Sequence, residues 1–131
     1  MFIFLVIFHL NEGAIVMHEF SVCQALLGQL THLANQHPGG KIVGILLVNG
    51  PLSGVDSTLL HHAVELCKKD TVAAEAVLTI EDRPLSIHCR DCLHDNEVPA
   101  NDWTCPHCAS LATEAVGGDA LILARLQLDF P

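Results

Sequence analysis

Cys89-Arg90-Asp91-Cys92 and Cys105-Pro106-His107-Cys108 are two Cys-x-x-Cys motifs with twelve residues between them. A gap of two residues lets both sulfur atoms of one turn face the same ion, and two such turns supply four thiolates for tetrahedral Zn²⁺. Because the protein fills all four positions of such a site, the metal would hold structure and would not bind a substrate. The motifs therefore predict a structural zinc site formed by Cys89, Cys92, Cys105 and Cys108.

Other interpretations of the paired cysteines stay open at this point. A single Cys-x-x-Cys can form a redox dithiol, although a second motif at this distance favours a metal, and iron in a rubredoxin-like site is a further alternative. Histidines 88, 94 and 107 flank the motifs, and imidazole can replace thiolate on zinc. A ligand exchange on acidification, with His94 or His107 entering the zinc shell, is therefore a hypothesis; solvated loop histidines are the simpler interpretation.

The bulk composition limits the classes of function. The chain has 131 residues, half of them hydrophobic, which suits one domain with a real core and a small insert. Its net charge is −9 with only six Lys and Arg, which argues against a nucleic-acid-binding zinc module. Four of the six cysteines lie in metal-binding motifs and not in an obvious disulfide framework, so we expect a reducing, cytoplasmic location.

Residues 1–16 differ from the rest of the chain. The apolar run from Met1 to Phe8 is too short to span a bilayer, and neither a preceding positive charge nor a cleavage site is evident. We interpret residues 1–16 as an N-terminal extension or as a start codon assigned too early, since Met17 offers a second start; a signal peptide or a membrane anchor is the less favoured alternative.

The hydrophobic pattern predicts two helices and three strands. Apolar residues recur at helical spacing in two segments, whereas three others are short and either apolar throughout or alternating. We expect helices at 18–36 and from Asp56 or Ser57 to about Lys69, and strands at 41–49, 77–81 and 121–130. In the last strand we expect one buried face formed by Ile122, Ala124, Leu126 and Leu128.

These elements predict an α+β fold in which two helices pack on a small three-stranded sheet. A zinc-ribbon-like module is inserted before the last strand. We expect the extension at 1–16, an α/β domain at 17–84 and 111–131, and the zinc-binding module at 85–110. An insert of about 26 residues cannot build its own core, so the metal must stabilise it.

Four further segments carry a resemblance to a known family. They are Met17-His18-Glu19-Phe20-Ser21, Gly50-Pro51-Leu52-Ser53-Gly54-Val55, Thr71-Val72-Ala73-Ala74-Glu75 and Gly118-Asp119-Ala120-Leu121-Ile122. Together with the double Cys-x-x-Cys, they resemble the HypA/HybF family of hydrogenase nickel-incorporation proteins. The resemblance covers Met17 to about Leu128, nearly all of the chain outside the extension.

The resemblance implies a cytoplasmic metallochaperone that delivers Ni²⁺ to the large subunit of [NiFe] hydrogenase. The resemblance further implies that the protein acts together with a nickel-binding GTPase and, in some bacteria, with urease maturation proteins. We expect a monomer or a homodimer that binds neither nucleic acid nor a membrane. We expect no enzyme activity, because the sequence contains no nucleophile with a paired base, no phosphate-binding glycine loop and no HExxH. The alternative is a zinc-ribbon adaptor that binds partner proteins and never carries nickel.

The same resemblance implies a nickel site at His18, with the backbone nitrogens of Met17 and Glu19 taking part. An imidazole beside deprotonated backbone nitrogens can form a square-planar site, a geometry that Ni²⁺ accepts. A free amine at Met17 could join, because terminal amines titrate near neutral pH. With residues 1–16 present, Met17 has no free amine, and this is where the sequence departs from the family pattern.

Overall fold

The computed structural model describes residues 2–9 and 19–131, with the course of the backbone alone for residues 2–9. The described chain has two helices in an α+β arrangement, as predicted, and seven strands where three were predicted. In chain order they are β1 (Phe2–His9), α1 (Glu19–Gln36), β2 (Lys41–Asn49), α2 (Ser57–Cys67), β3 (Val77–Asp82), β4 (Leu85–Cys89), β5 (Asp95–Val98), β6 (Thr113–Gly117) and β7 (Leu121–Asp129). Neither helix is long and apolar enough to cross a membrane.

The larger sheet has four strands in the order β1-β7-β2-β3. The central strand β2 pairs antiparallel with β7 and parallel with β3, and α2 forms the crossover that a parallel pair requires. The three predicted strands are thus β7, β2 and β3. A fourth strand, β1, comes from the predicted extension and pairs antiparallel with β7 at the edge of the sheet. Its sequence is rich in aromatic and β-branched residues, which favour strands.

Both helices begin and end close to the predicted residues. In α1 the buried residues follow helical spacing: Val22, Cys23, Leu26, Leu27, Leu30 and Leu33. Asp56 is the N-cap of α2, where its Oδ1 atom accepts a hydrogen bond of 2.9 Å from the Leu59 N–H group. Helix α2 ends at Cys67, slightly before the predicted end.

One hydrophobic core joins both helices to the four-stranded sheet. It contains eighteen buried residues of the described chain, and Leu26, Leu30, Leu47 and Leu123 are among those with no exposed surface. Complete burial of each such side chain contributes about 1.5–3 kcal/mol. Among the residues whose side chains are described, this core contains most of the buried apolar groups, and the metal module contains few.

The face of β7 that we predicted to be buried is wrong in its first half. Leu121 and Leu123 are fully buried, whereas Ile122 and Ala124 are half-buried. Against β2, Leu46 pairs with Arg125 and Leu47 pairs with Leu123, so that Ala124 is an extra residue. This bulge shifts the alternation by one residue, after which Leu126 and Leu128 face the core as predicted.

The smaller sheet has three strands in the order β5-β4-β6. Asp95 and Asn96, residue types that favour loops, open β5 and pair antiparallel with the end of β4. Asp and Asn have low strand propensity, which here is overridden by the partner strand. Strand β6 lies after residue 110, so the sheet that contains the first cysteine extends beyond the predicted module boundary. The division into domains stays a prediction.

Two glycines allow the small sheet to connect closely to the large one. Gly118 links β6 to β7 with a φ of 86°, in the left-handed region that glycine tolerates best. A side chain at Gly50 would place its Cβ 2.1 Å from the Gly118 carbonyl oxygen. The same carbonyl accepts a hydrogen bond of 3.1 Å from the Leu52 N–H group. The chain after β2 therefore passes directly against the junction of the two sheets.

Candidate metal centre

The four paired cysteines come together at one end of the small sheet. Their Sγ atoms all lie within 4.8 Å of one another, and we call Cys89, Cys92, Cys105 and Cys108 the thiol cluster. The Sγ atoms of Cys89 and Cys108 are 3.5 Å apart, and those of Cys92 and Cys105 are 3.6 Å apart. A tetrahedral zinc with Zn–S bonds of about 2.3 Å has sulfur–sulfur edges of about 3.8 Å. The cluster therefore fits Zn²⁺ with four thiolate ligands.

The first cysteine turn is closed by backbone hydrogen bonds. The Cys89 N–H group donates to the His94 carbonyl at 3.0 Å, and the Leu93 N–H group donates to the Cys89 carbonyl at 2.9 Å. Leu93 has a φ of 64°, in the left-handed region. The turn thereby directs both of its sulfur atoms to the same side.

The second cysteine turn repeats the first. The Cys105 N–H group donates to the Ser110 carbonyl at 2.9 Å, and the Ala109 N–H group donates to the Cys105 carbonyl at 2.8 Å. Ala109 has a φ of 63° at the position equivalent to Leu93. Left-handed backbone costs a residue with a side chain about 1–2 kcal/mol, so both turns accept strain to hold this shape.

Backbone N–H groups, burial and the neighbouring thiols together set the order in which the thiols ionise. Donation from the Cys92 N–H group, with a smaller contribution from Asp91, lowers the pKa of Cys89 to about 6. The Ser110 N–H group acts in the same direction on Cys108, but desolvation and the neighbouring thiols outweigh it and raise the pKa of Cys108 to about 12. Negative charge thus collects first at Cys89, and a divalent cation would replace the remaining protons.

Neighbouring groups support the thiol cluster from outside. The Ser110 hydroxyl donates to the Asp91 carboxylate and so ties one cysteine turn to the other. The Asn96 side-chain amide lies 4.0 Å from the Cys105 sulfur, where it can donate to a thiolate. The sequence alone did not predict that Asn96 lies beside the thiol cluster, because an Asp-Asn pair is typical of loops and does not indicate a strand next to Cys105.

The three flanking histidines have different surroundings. The Nδ1 atom of His88 is 2.6 Å from an Asp95 carboxylate oxygen, and the Nδ1 atom of His94 is 3.0 Å from the Cys92 carbonyl oxygen. The ring centroids of His94 and His107 are 4.0 Å apart, with the two ring planes tilted by 33°. His94 and His107 thus lie side by side next to the cysteine turns, and the ligand exchange stays a hypothesis.

The predicted nickel residues Met17 and His18 lie outside the described residues. Glu19, the first residue of α1, is described. Its carboxylate accepts a hydrogen bond of 3.4 Å from the N–H group of Asp56, the N-cap of α2. The start of α1, directly after His18, is therefore adjacent to the start of α2.

A buried asparagine holds the loop that leads into α2. The Asn49 amide nitrogen donates to the Val55 carbonyl at 3.0 Å and to the Ser57 hydroxyl at 2.8 Å. Its amide oxygen accepts from the Ser53 hydroxyl at 2.5 Å, while Ser57 donates to Asp82. This network connects the ends of β2 and β3 to the start of α2, and so fixes the position of Asp56 beside Glu19.

Comparison with known proteins identifies relatives over most of the chain. A family model described as "Hydrogenase/urease nickel incorporation, metallochaperone, hypA" matches residues 17–128. The hydrogenase maturation factor HypA of Nitrosospira multiformis is 39% identical over 112 residues, which cover 86% of this chain and 97% of that protein. The HypA of Aquifex aeolicus is 35% identical over 113 residues, which cover 86% of this chain and 98% of that protein.

Solved structures agree with these sequence comparisons. The solution structure of the Ni metallochaperone HypA from Helicobacter pylori has a TM-score of 0.65 and 27% sequence identity, and the match covers 88% of this chain and all of that one. The matched region 17–128 contains both helices and all four residues of the thiol cluster. The chain belongs to the HypA family of hydrogenase and urease nickel-incorporation proteins, which are metallochaperones and not enzymes.

Proposed function

We propose that this chain binds Ni²⁺ and delivers it to the large subunit of [NiFe] hydrogenase, while Zn²⁺ held by the thiol cluster stabilises the small sheet. The observation that carries this proposal is the family match over residues 17–128. That range contains the Met17-His18-Glu19 segment as well as the four paired cysteines. One chain thus contains two kinds of metal ligand that suit two different tasks.

The two donor sets differ in how readily they release an ion. Four thiolates fill every position around a tetrahedral zinc, which suits retention. The proposed nickel site uses the His18 imidazole with backbone nitrogens of Met17 and Glu19. Such a nitrogen set suits the square-planar geometry of Ni²⁺ and leaves the ion accessible to a recipient protein. Nickel is cargo in this proposal, and zinc is a permanent part of the structure.

The surroundings of Glu19 support a nickel site at this end of α1. The hydrogen bond from the Asp56 N–H group to the Glu19 carboxylate restrains the first turn of the helix. Phe20, the next residue, is 60% exposed, so this end of α1 is not covered by the described chain. A recipient protein could therefore reach an ion bound at His18.

The proposed partner proteins follow from the family to which the chain belongs. We propose a nickel-binding GTPase as the protein that exchanges nickel with this chain, and the hydrogenase large subunit as the recipient. Urease maturation proteins are further candidate partners, because the family description includes urease. The net charge of −9 suits neither nucleic acid nor an anionic membrane surface as a partner.

Nickel titration of the zinc-loaded protein tests the proposal. We expect His18→Ala to abolish tight nickel binding and to leave the zinc content unchanged. The matched control is His32→Ala, since His32 is an exposed histidine on α1, the helix that follows His18 in the sequence, and we expect this variant to bind nickel normally. If the His18→Ala protein retains tight nickel binding, the assignment of His18 is wrong. If the unchanged protein binds zinc and no nickel, it is the adaptor and not a metallochaperone.

A chain that begins at Met17 tests the role of the terminal amine. In the full chain, β1 pairs with β7, and Met17 is joined to residue 16 by a peptide bond. If the free amine is a ligand, the shorter chain binds nickel more tightly and with a different absorption spectrum. Equal affinity and geometry in the two chains would refute a role for the amine.

A further inference from the structure

Two cysteines outside the thiol cluster face each other between the two helices. Cys23 lies on α1 and is fully buried, whereas Cys67 is the last residue of α2 and is only partly buried. Both belong to the core that joins the helices to the large sheet, and neither is among the residues grouped around the metal site. They are therefore two thiols that the proposed function does not use.

Helix geometry places the two cysteine side chains at the same turn of α2. The Cys23 Sγ atom lies 3.7 Å from the carbonyl oxygen of Ala63, on the neighbouring helix. In an α-helix that carbonyl is the hydrogen-bond partner of the Cys67 N–H group, one turn later. Side chains of a helix lean toward its N-terminus and cover the preceding turn, so the Cys67 side chain covers the turn that Cys23 contacts.

We propose that Cys23 and Cys67 form a reversible disulfide that links α1 to α2, by exchange with a small disulfide such as glutathione disulfide. The two residues are 44 positions apart in the sequence and come together only through helix packing. The linked pair would lie within the α/β layer, apart from the zinc ligands.

The exchange proceeds in two balanced steps. Cys67 loses its proton to solvent, and its thiolate attacks one sulfur of glutathione disulfide, which breaks that S–S bond and releases one glutathione thiolate. Cys23 then attacks the Cys67 sulfur of the mixed disulfide and releases the second glutathione, and the departing thiolates take up the two protons. Two protein thiols are oxidised, and one glutathione disulfide is reduced to two glutathione molecules.

The burial of the two thiols sets this order. Cys67 reaches solvent in part and can meet the incoming disulfide, whereas Cys23 has no exposed surface. Burial, followed by contact with the Cys67 thiol, raises the pKa of Cys23 to about 12. A Cys67 sulfur in a mixed disulfide carries no charge. The contribution of the Cys67 thiolate to the raised pKa of Cys23 is therefore removed before Cys23 reacts.

The disulfide would restrain the helix that follows the proposed nickel residues. Cys23 lies in the second turn of α1, shortly after Glu19. A cross-link to the end of α2 holds α1 at this end, while the hydrogen bond between Glu19 and Asp56 holds its first turn. The inference itself does not depend on nickel binding, because it concerns two thiols and their contact alone.

The test uses the zinc-loaded full chain incubated with glutathione disulfide. Remaining thiols are then alkylated, and the digested protein is analysed by mass spectrometry. We expect a peptide pair joined through Cys23 and Cys67, a protein mass lower by two hydrogen atoms, and an unchanged zinc content. We also expect a higher unfolding temperature, which dithiothreitol returns to its original value.

Two variants control for other products. Cys67→Ala should yield no internal cross-link and little glutathione adduct, whereas Cys23→Ala should stop at a mixed disulfide on Cys67. Zinc content and circular dichroism show whether each variant is folded. If the unchanged, zinc-loaded protein yields only a mixed disulfide at Cys67, or only disulfides among the thiol cluster, the proposed pairing is overturned.

Discussion

The small sheet of β4, β5 and β6 buries few apolar side chains, so its stability should depend on zinc. Its hydrophobic cluster contains three buried residues, Leu85, Ile87 and Val98, compared with eighteen in the core of the large sheet. At about 1.5–3 kcal/mol each, three buried side chains contribute about 5–9 kcal/mol. A structural zinc contributes about 10–16 kcal/mol to the folding of a small domain. Zinc thus stabilises this sheet more than its apolar side chains do, and removal of the metal should unfold this sheet first.

Hydrogen exchange of the backbone amides measures the stability of each sheet separately. After zinc is removed with a chelator, we expect the amides of β4 to lose protection by at least about a thousandfold, which corresponds to a loss of about 4 kcal/mol. The amides of α1 and β2 should keep their protection, because their core contains no metal ligand. Addition of zinc should restore the original pattern.

A matched pair of substitutions separates metal loss from the loss of a buried cysteine. Cys105 and Cys23 are both almost fully buried, but only Cys105 belongs to the thiol cluster. We expect Cys105→Ala to reproduce the effect of the chelator on β4 and Cys23→Ala to leave β4 protected. If β4 stays protected without zinc, or if α1 loses protection together with it, the reasoning from the two separate cores is refuted.

Three further measurements test the core, the buried polar network and the cysteine turns. Leu30→Ala should lower the free energy of unfolding, measured by urea denaturation, by about 2–5 kcal/mol, because it removes a fully buried side chain. Leu66→Ala is the control, since the Leu66 side chain is 75% exposed, and it should change the same quantity by less than about 0.5 kcal/mol. Equal effects would contradict the assigned core. Asn49→Ala should cost about 2–4 kcal/mol in the same assay, because it removes three hydrogen bonds that join the end of β2 to the loop before α2, and an unchanged urea midpoint would contradict this role. Zinc should stay bound at neutral pH and be released as the pH becomes acidic, because protons then compete with the metal for the four thiolates; the lowered pKa of Cys89 means that its thiolate is protonated only as the pH falls. A chromogenic zinc indicator measures the release, and release already complete at neutral pH would contradict the assignment.

Elements with a strong local signal were predictable from the sequence. The apolar spacing of α1 and the Asp56 cap of α2 act within a few residues, and the structure has both helices close to the predicted bounds. Strand β7 contains a feature that the local sequence pattern does not predict. Its alternating pattern does not reveal the bulge at Ala124, because that extra residue exists only relative to the pairing of β7 with β2. For the same reason β5 was missed, since Asp95 and Asn96 form a strand only beside β4.

The thiol cluster and the proposed nickel site differ in the same way, which explains why the sequence predicts the first in detail and the second only through a family resemblance. Each cysteine turn is closed by hydrogen bonds within five residues of its first cysteine, so the spacing alone indicates which sulfur atoms meet. The start of α1 is positioned by Asp56, which lies 37 residues after Glu19, and Cys23 meets the turn of Ala63 across 40 residues. No local pattern encodes such pairs. A substitution in a cysteine turn should therefore affect zinc binding and the small sheet, whereas changes in the α1–α2 contact should alter the region next to His18 without contact with any zinc ligand.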